Sequence, residues 1–189
     1  MTFSRSNIKI DKRLIGDSYK PFIIAEIGQA HEGKISKVFK YIDLISKTGV
    51  DAIKFQTHIA EEESTLDEPF RVNLHYKFSF KNRYDYWKSV EFSIHEWNQI
   101  KKYVEKKKLI FFTSVFSIKA IHMMKKIGVK VLKIGSGEFD SKDLINEIVD
   151  AKIPVLLSTG MTKLSEIDKM NKFLKRKKAV YGFFQCTSS

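Results

Sequence analysis

A chain of 189 residues with 43% hydrophobic content is long enough to bury one substantial core. No run approaches the roughly 18 apolar residues of a membrane span, and the opening from Met1 to Asp11 is charged, so neither a transmembrane segment nor a signal peptide is expected. The single cysteine, Cys186, excludes an internal disulfide and fits a reducing, cytoplasmic setting. Lys and Arg number 34 against 22 Asp and Glu, a net charge of +12 that invites a nucleic-acid reading. The distribution argues otherwise. The lysines crowd onto helical segments, as at Lys106, Lys107 and Lys108 or Lys175, Lys177 and Lys178, and no basic motif is interleaved with aromatics. A solvated, lysine-rich surface is expected, part of whose charge attracts an anionic substrate.

Short apolar runs alternate with longer amphipathic segments along the chain. Residues 7 to 19 read as a hairpin. Phe22 to Ile27 reads as a strand, and Ile35 to Thr48 as a helix with Val38, Ile42 and Ile45 on one face, closed by Gly49. Ala52 to Gln56 is a second strand. Residues 57 to 92 form a long polar insertion, and a loop of that length is either functional or disordered. Its aromatics, including Tyr76, Phe78, Tyr86 and Trp87, argue for order. Ser93 and Glu96 form a capping box that opens a helix running to about Lys107. Leu109 to Thr113 is the third strand, Ile118 to Ile127 a helix ending at Gly128, and Val129 to Ile134 the fourth strand. Then come a helix from Ser141 to Asp150, a fifth strand Val155 to Ser158, a helix from Lys163 to Lys175, and a sixth strand Val180 to Gln185.

The strands are almost continuously apolar, as expected when both faces are covered. A regular βα repeat of such strands implies a parallel sheet, either a barrel or a doubly wound fold. No Gly-x-Gly-x-x-Gly follows the first strand, which weakens the dinucleotide-binding version. The expected class is therefore α/β, a (β/α)8 TIM-type barrel truncated after its sixth strand. Residues 1 to 20 are the capping hairpin and residues 21 to 189 the barrel.

Active sites of such barrels lie at the C-terminal ends of the strands. Those ends carry Glu26, then Lys54 and Gln56, then Thr113 and Ser114, then Lys133, Ser136 and Glu138, then Ser158 and Thr159, and finally Gln185, Thr187 and Ser188. Strand alternation puts Lys54 and Gln56 on one face and Ile53 and Phe55 on the other. If the aliphatic pair packs on helices, the lysine points into the barrel, where it needs an anionic partner. Two lysines with hydroxyls from several strands suit a phosphate and carboxylate pocket, with backbone N–H groups of Gly135-Ser136-Gly137 as further donors. Each residue has a plainer reading: Lys54 snorkels to the rim, Ser158 caps a helix, Glu26 is a structural partner for a lysine. The coincidence of all six strand ends favours the pocket. His31 and His58 follow the first two strands without a metal-ligand pattern, and His31 is expected to contact substrate or orient a neighbour.

Five motifs then stand in order: Ile24-Ala25-Glu26-Ile27-Gly28 with His31-Glu32-Gly33, Asp51 to Thr57, Lys133 to Glu138, Leu157 to Met161, and Gln185 to Ser189. Together they resemble the N-acetylneuraminate (sialic acid) synthase family. The resemblance implies condensation of phosphoenolpyruvate with N-acetylmannosamine or a related N-acyl amino sugar, or its 6-phosphate, with release of phosphate. It implies Lys54, Ser114, Lys133, Ser136, Ser158 and Ser188 as phosphoenolpyruvate ligands and Glu138 as a sugar ligand. Glu26 would stand by the reacting carbons, with Gln56 a further candidate. A divalent metal, manganese or magnesium, is implied for the full-length family, its histidine ligands lying beyond the sixth strand. The same resemblance implies a homodimer. The last strands and a small antifreeze-like domain are not in this chain, so the chain alone is expected to be inactive.

The chain departs from the family at four places. Ala30 stands for an Asn, Thr113-Ser114-Val115-Phe116 for Ser-Thr-Pro-Phe, Gln185 for a frequent His, and Ser188 for an Asn found in some members. These changes leave the sugar identity open. A Schiff-base aldolase on a similar barrel, with Lys133 as the amine, and a non-catalytic truncated barrel are the competing readings.

Overall fold

The computed structural model describes residues 7 to 70 and 80 to 187. Strands β1 (Ile8–Ile10) and β2 (Arg13–Ile15) pair antiparallel, with Ile8 opposite Ile15 and Ile10 opposite Arg13. The βα repeat follows as β3 (Ile24–Gly28), α1 (Ile35–Ile45), β4 (Ala52–Thr57), α2 (Ala60–Glu63), α3 (Arg83–Val90), α4 (Ile94–Lys106), β5 (Ile110–Val115) and α5 (Ile118–Lys126). It continues as β6 (Leu132–Ile134), a 3-10 turn Ser136–Glu138, α6 (Lys142–Asp150), β7 (Val155–Ser158), α7 (Leu164–Arg176) and β8 (Tyr181–Phe184). Strands β3 to β8 form one parallel sheet in chain order. This is barrel architecture left open, since β3 and β8 stand at opposite edges of the sheet.

Alternation along the strands divides the sheet into two faces. The outer face carries Ile53, Phe55, Phe111, Leu132, Ile134, Val155 and Leu157 into a core with Val38, Ile42, Trp97, Ile100, Ile121, Met124 and Ile148 from the helices. The inner face begins apolar. Phe112, Val131 and Leu156 pack with Ile24, Ile110 and Phe184, and Ile10 of the hairpin is fully buried among them. The hairpin therefore plugs the floor. Further along the same face the register Glu26↔Lys54, Gln56↔Ser114↔Lys133 and Ser158↔Phe184 brings the polar strand-end residues side by side.

Local chemistry sets the element ends. The Ser93 hydroxyl accepts from the Glu96 N–H at 3.3 Å, and the Glu96 carboxylate accepts from the Ser93 N–H at 2.8 Å. Ser117 Oγ accepts from the Ala120 N–H at 3.2 Å and caps α5 without a reciprocal bond. The fourth barrel strand is shorter than its apolar run predicts. Val129 N–H donates to the Met124 carbonyl and is absorbed into the end of α5. The insertion is ordered at both ends: α2 receives a cap from Glu91, and Arg83 pairs with Glu68 at 2.5 Å. Tyr76 and Phe78 lie outside the described residues.

Gly33 ties the loop after β3 to the insertion. It has φ of +69°, and a Cβ there would overlap the Ser89 carbonyl oxygen. Gly33→Ala should lower the unfolding free energy by at least about 2 kcal/mol. The readout is a lower urea midpoint at unchanged slope. An unchanged midpoint would show that the two loops can part without cost.

Candidate functional site

Two lysines share the inner face. Lys54 on β4 lies with its Nζ 2.5 Å from the Glu26 carboxylate and donates to Ser114 Oγ at 3.0 Å. Lys133 on β6 is 8% exposed and donates to Ser158 Oγ at 2.5 Å and to the Ile134 carbonyl at 2.9 Å. Among the described residues no carboxylate forms an ion pair with Lys133. Burial first, and then the charge of Lys54, lower its pKa to about 8, while Cys186, Glu26 and Glu138 pull the other way. Burial pushes the Glu138 carboxyl up.

The serines are set as donors. Ser114 accepts from Lys54, and Ser158 accepts from both Lys133 and the Cys186 thiol, the latter at 3.2 Å. A hydroxyl that accepts from an ammonium turns its own hydrogen elsewhere. Both O–H groups are thus available to a bound anion. Ser136 Oγ accepts from the Gly160 N–H at 3.1 Å and joins the loop after β6 to the loop after β7.

The structure brings Glu26, Lys54, Gln56, Ser114, Lys133, Glu138 and Ser158 to one mouth, with Ser136 at its edge. It does not bring Gln185 or Thr187. Alternation beyond β8 turns Phe184 and Cys186 inward, so that Phe184 lies 5.7 Å under Lys133 and Cys186 reaches Ser158, while Gln185 and Thr187 are exposed. Ser188 lies outside the described residues.

A second cluster at the mouth was not foreseen as a unit. Gln29 donates to Gln56 Oε1 at 2.9 Å and lies 2.6 Å from His58 Nε2. Tyr86 donates to Gln29 Oε1 at 2.5 Å, and His58 Nδ1 lies 2.6 Å from Glu63. The one signal in the sequence was that His58 directly continues a strand whose Lys54 and Gln56 already face inward.

The NeuB family profile matches residues 41–189. This chain belongs to the NeuB family. It is 32% identical over 168 residues to an uncharacterized protein of Methanocaldococcus jannaschii, an overlap of 89% of this chain and 46% of the relative. It is 26% identical over 181 residues to human N-acetylneuraminate-9-phosphate synthase, covering 94% of this chain and 49% of that one. The chain thus spans about half the length of these relatives. A sialic acid synthetase from Leptospira borgpetersenii, solved with citrate, superposes with a TM-score of 0.82 at 29% identity over 98% of this chain and 60% of that structure. A truncated 3-deoxy-D-arabino-heptulosonate 7-phosphate synthase from Thermotoga maritima, at TM-score 0.67 and 12% identity, shares the fold.

The NeuB resemblance implies a divalent metal. Among the described residues no three His, Cys, Asp or Glu side chains converge to hold one. These residues by themselves do not form a metal site.

His31 is fully buried against Phe92, and its Nδ1 accepts from the Gly33 N–H at 3.0 Å. Among the described residues its Nε2 has no hydrogen-bond partner. Burial, with a smaller contribution from His58, lowers its pKa from 6.5 to about 4. As the pH falls through 6.5 the unfolded chain takes up a proton that the folded chain refuses until about 4, so stability is lost across that window. His31→Phe keeps a ring against Phe92 and removes the titration. It should flatten the stability curve between pH 6.5 and 4 in urea melts, and a curve as steep as wild type would show that His31 is not the group responsible.

Proposed function

We propose that this NeuB chain supplies the phosphoenolpyruvate-binding part of a nonulosonic-acid synthase, the co-substrate being N-acetylmannosamine or a related N-acyl amino sugar. The observation that carries this reading is Lys133. Among the described residues this buried ammonium is held by a hydroxyl, a carbonyl and the face of Phe184, with no carboxylate paired to it, so it is incompletely compensated and an anion completes it. Lys54 stands on the same face, and the Ser114 and Ser158 hydroxyls are free to donate between the two cations. A phosphate carrying roughly −1.5 to −2 charges, together with a carboxylate, suits two ammonium groups and two O–H donors. The human N-acetylneuraminate-9-phosphate synthase and the Leptospira sialic acid synthetase support the reading.

In the reaction, carbon 3 of phosphoenolpyruvate forms a bond to the aldehyde carbon of the open-chain sugar. Water adds to the resulting cation at carbon 2, and phosphate leaves with cleavage of its C–O bond. Lys54, Lys133 and the serines bind and orient the enol phosphate. Glu26, beside Lys54 and 45% exposed, faces the mouth and is placed to stabilise the cation at carbon 2. Glu138 is placed to hold sugar hydroxyls.

One observation favours a second reading. An amine with its pKa lowered to about 8 is suited to imine formation, as in a Schiff-base aldolase. Borohydride with pyruvate would then leave a covalent adduct on Lys133, whereas the synthase reading leaves the amine free.

Calorimetric titration with phosphoenolpyruvate tests the proposal. Lys133→Met should weaken binding about 10- to 150-fold, the loss of one charge-assisted hydrogen-bonding group. Unaltered affinity would overturn the assignment. Binding needs the charged amine and the dianionic phosphate, so affinity should hold between about pH 7 and 8 and fall by up to about tenfold per unit above that. Affinity that rises above pH 8 would contradict a cationic role.

A further inference from the structure

Gln56 stands at the end of β4 with its amide between two surroundings. Its Oε1 meets the Gln29 amide and, at 3.2 Å, His58 Nε2. Its Nε2 lies on the other side, toward Gly28, which Glu26 also approaches: a Cβ added to Gly28 would sit 3.3 Å from Glu26 Oε1 and 3.7 Å from Gln56 Nε2. An amide turned end for end keeps its shape, so its partners decide which end faces the mouth.

Counting donors and acceptors decides it here. Ile59 N–H donates to Glu63 Oε1 at 2.7 Å and holds that carboxylate in place. Glu63 Oε2 then accepts at 2.6 Å from His58 Nδ1, which must carry the hydrogen. The imidazole is clamped between Trp87 and Phe116, with centroids 4.0 and 4.4 Å away and planes within 17° and 9°, so it does not turn over. With the hydrogen on Nδ1, the Gln29 amide nitrogen 2.6 Å from Nε2 makes Nε2 the acceptor. Gln29 therefore spends one N–H on His58 and the other on Gln56 Oε1, while its own oxygen accepts from Tyr86. Only the N–H2 end of Gln56 remains for the mouth.

We propose that His58 and Glu63 are positioning residues that act through Gln29 to hold the Gln56 amide with its N–H2 toward the mouth. This edge of the site then takes a hydrogen-bond acceptor of the ligand, a carbonyl or carboxylate oxygen, and disfavours a donor. The inference rests on the synthase reading only for the identity of that oxygen.

The experiment is nitrogen NMR of the imidazole and side-chain amide groups of the full 189-residue chain. Wild type should show His58 as the Nδ1–H tautomer. In Glu63→Gln the Ile59 N–H keeps the new amide's oxygen, and its N–H2 then faces His58 Nδ1. The ring should switch to the Nε2–H tautomer, and the amide signals of Gln29 and Gln56 should move together. An Nε2–H tautomer in wild type overturns the proposal without any variant. So does a switched ring in Glu63→Gln with both amide pairs unmoved. A chain that shows the tautomer and its switch but no affinity for phosphoenolpyruvate supports the relay and counts against the synthase reading alone.

Discussion

Two ammonium groups on the inner face of one sheet repel each other, and the mouth is organised around that repulsion. The charge of Lys54 is one of the two causes that lower the pKa of Lys133. The cations are treated unequally. Lys54 keeps a carboxylate, Glu26, at 2.5 Å, whereas among the described residues Lys133 has only neutral oxygens within hydrogen-bond reach. A carboxylate on each lysine would neutralise the pocket and leave nothing for a ligand to complete. With Glu26 beside Lys54 and, among the described residues, no carboxylate paired with Lys133, the ammonium of Lys133 stays incompletely compensated in a partly desolvated place, where an anion is worth more than in water.

The floor makes that charge count. Ile10 of the hairpin, with Phe112, Val131 and Leu156, closes the inner face below the lysines with apolar side chains. Phe184 lies beneath Lys133 and offers its ring face to the cation. The lysines thus stand over an apolar floor. The hairpin, which carries no site residue, thereby sets the electrostatics of the site.

Most of this framework was legible in the sequence because it depends on short-range rules. The alternation of Ile53, Lys54, Phe55 and Gln56 sorted the inner face from the outer before any contact was known. Ser93 with Glu96, and the glycines at 49 and 128, marked helix ends through interactions three or four residues long. The failures have one physical origin. Extending the sixth barrel strand to Gln185 gave that residue a site role, but β8 stops at Phe184 and the inward parity passes to Cys186. The relay of Gln29, His58, Glu63 and Tyr86 joins residues up to 57 apart. No periodicity links them, because they meet through contacts between distant segments, Trp87 stacking on His58 and Tyr86 donating to Gln29.

The net charge of +12 invites the view that anion binding is a matter of bulk attraction. The positions of the lysines argue against it. Lys107 pairs with Asp43, Lys101 with Glu105 and Lys177 with Asp150 on exposed helix surfaces, where each pair contributes little and is screened by salt. Others, such as Lys125, Lys126, Lys175 and Arg176, occupy last helical turns, where cations complement the helix dipole. These charges can hasten the arrival of an anion but do not distinguish one from another. Discrimination needs cations that have given up water, hydroxyls whose hydrogens point away from those cations, and an amide whose orientation is settled in advance. All three are found at the ends of β4, β5, β6 and β7, and the two lysines among them are a small fraction of the chain's positive charge.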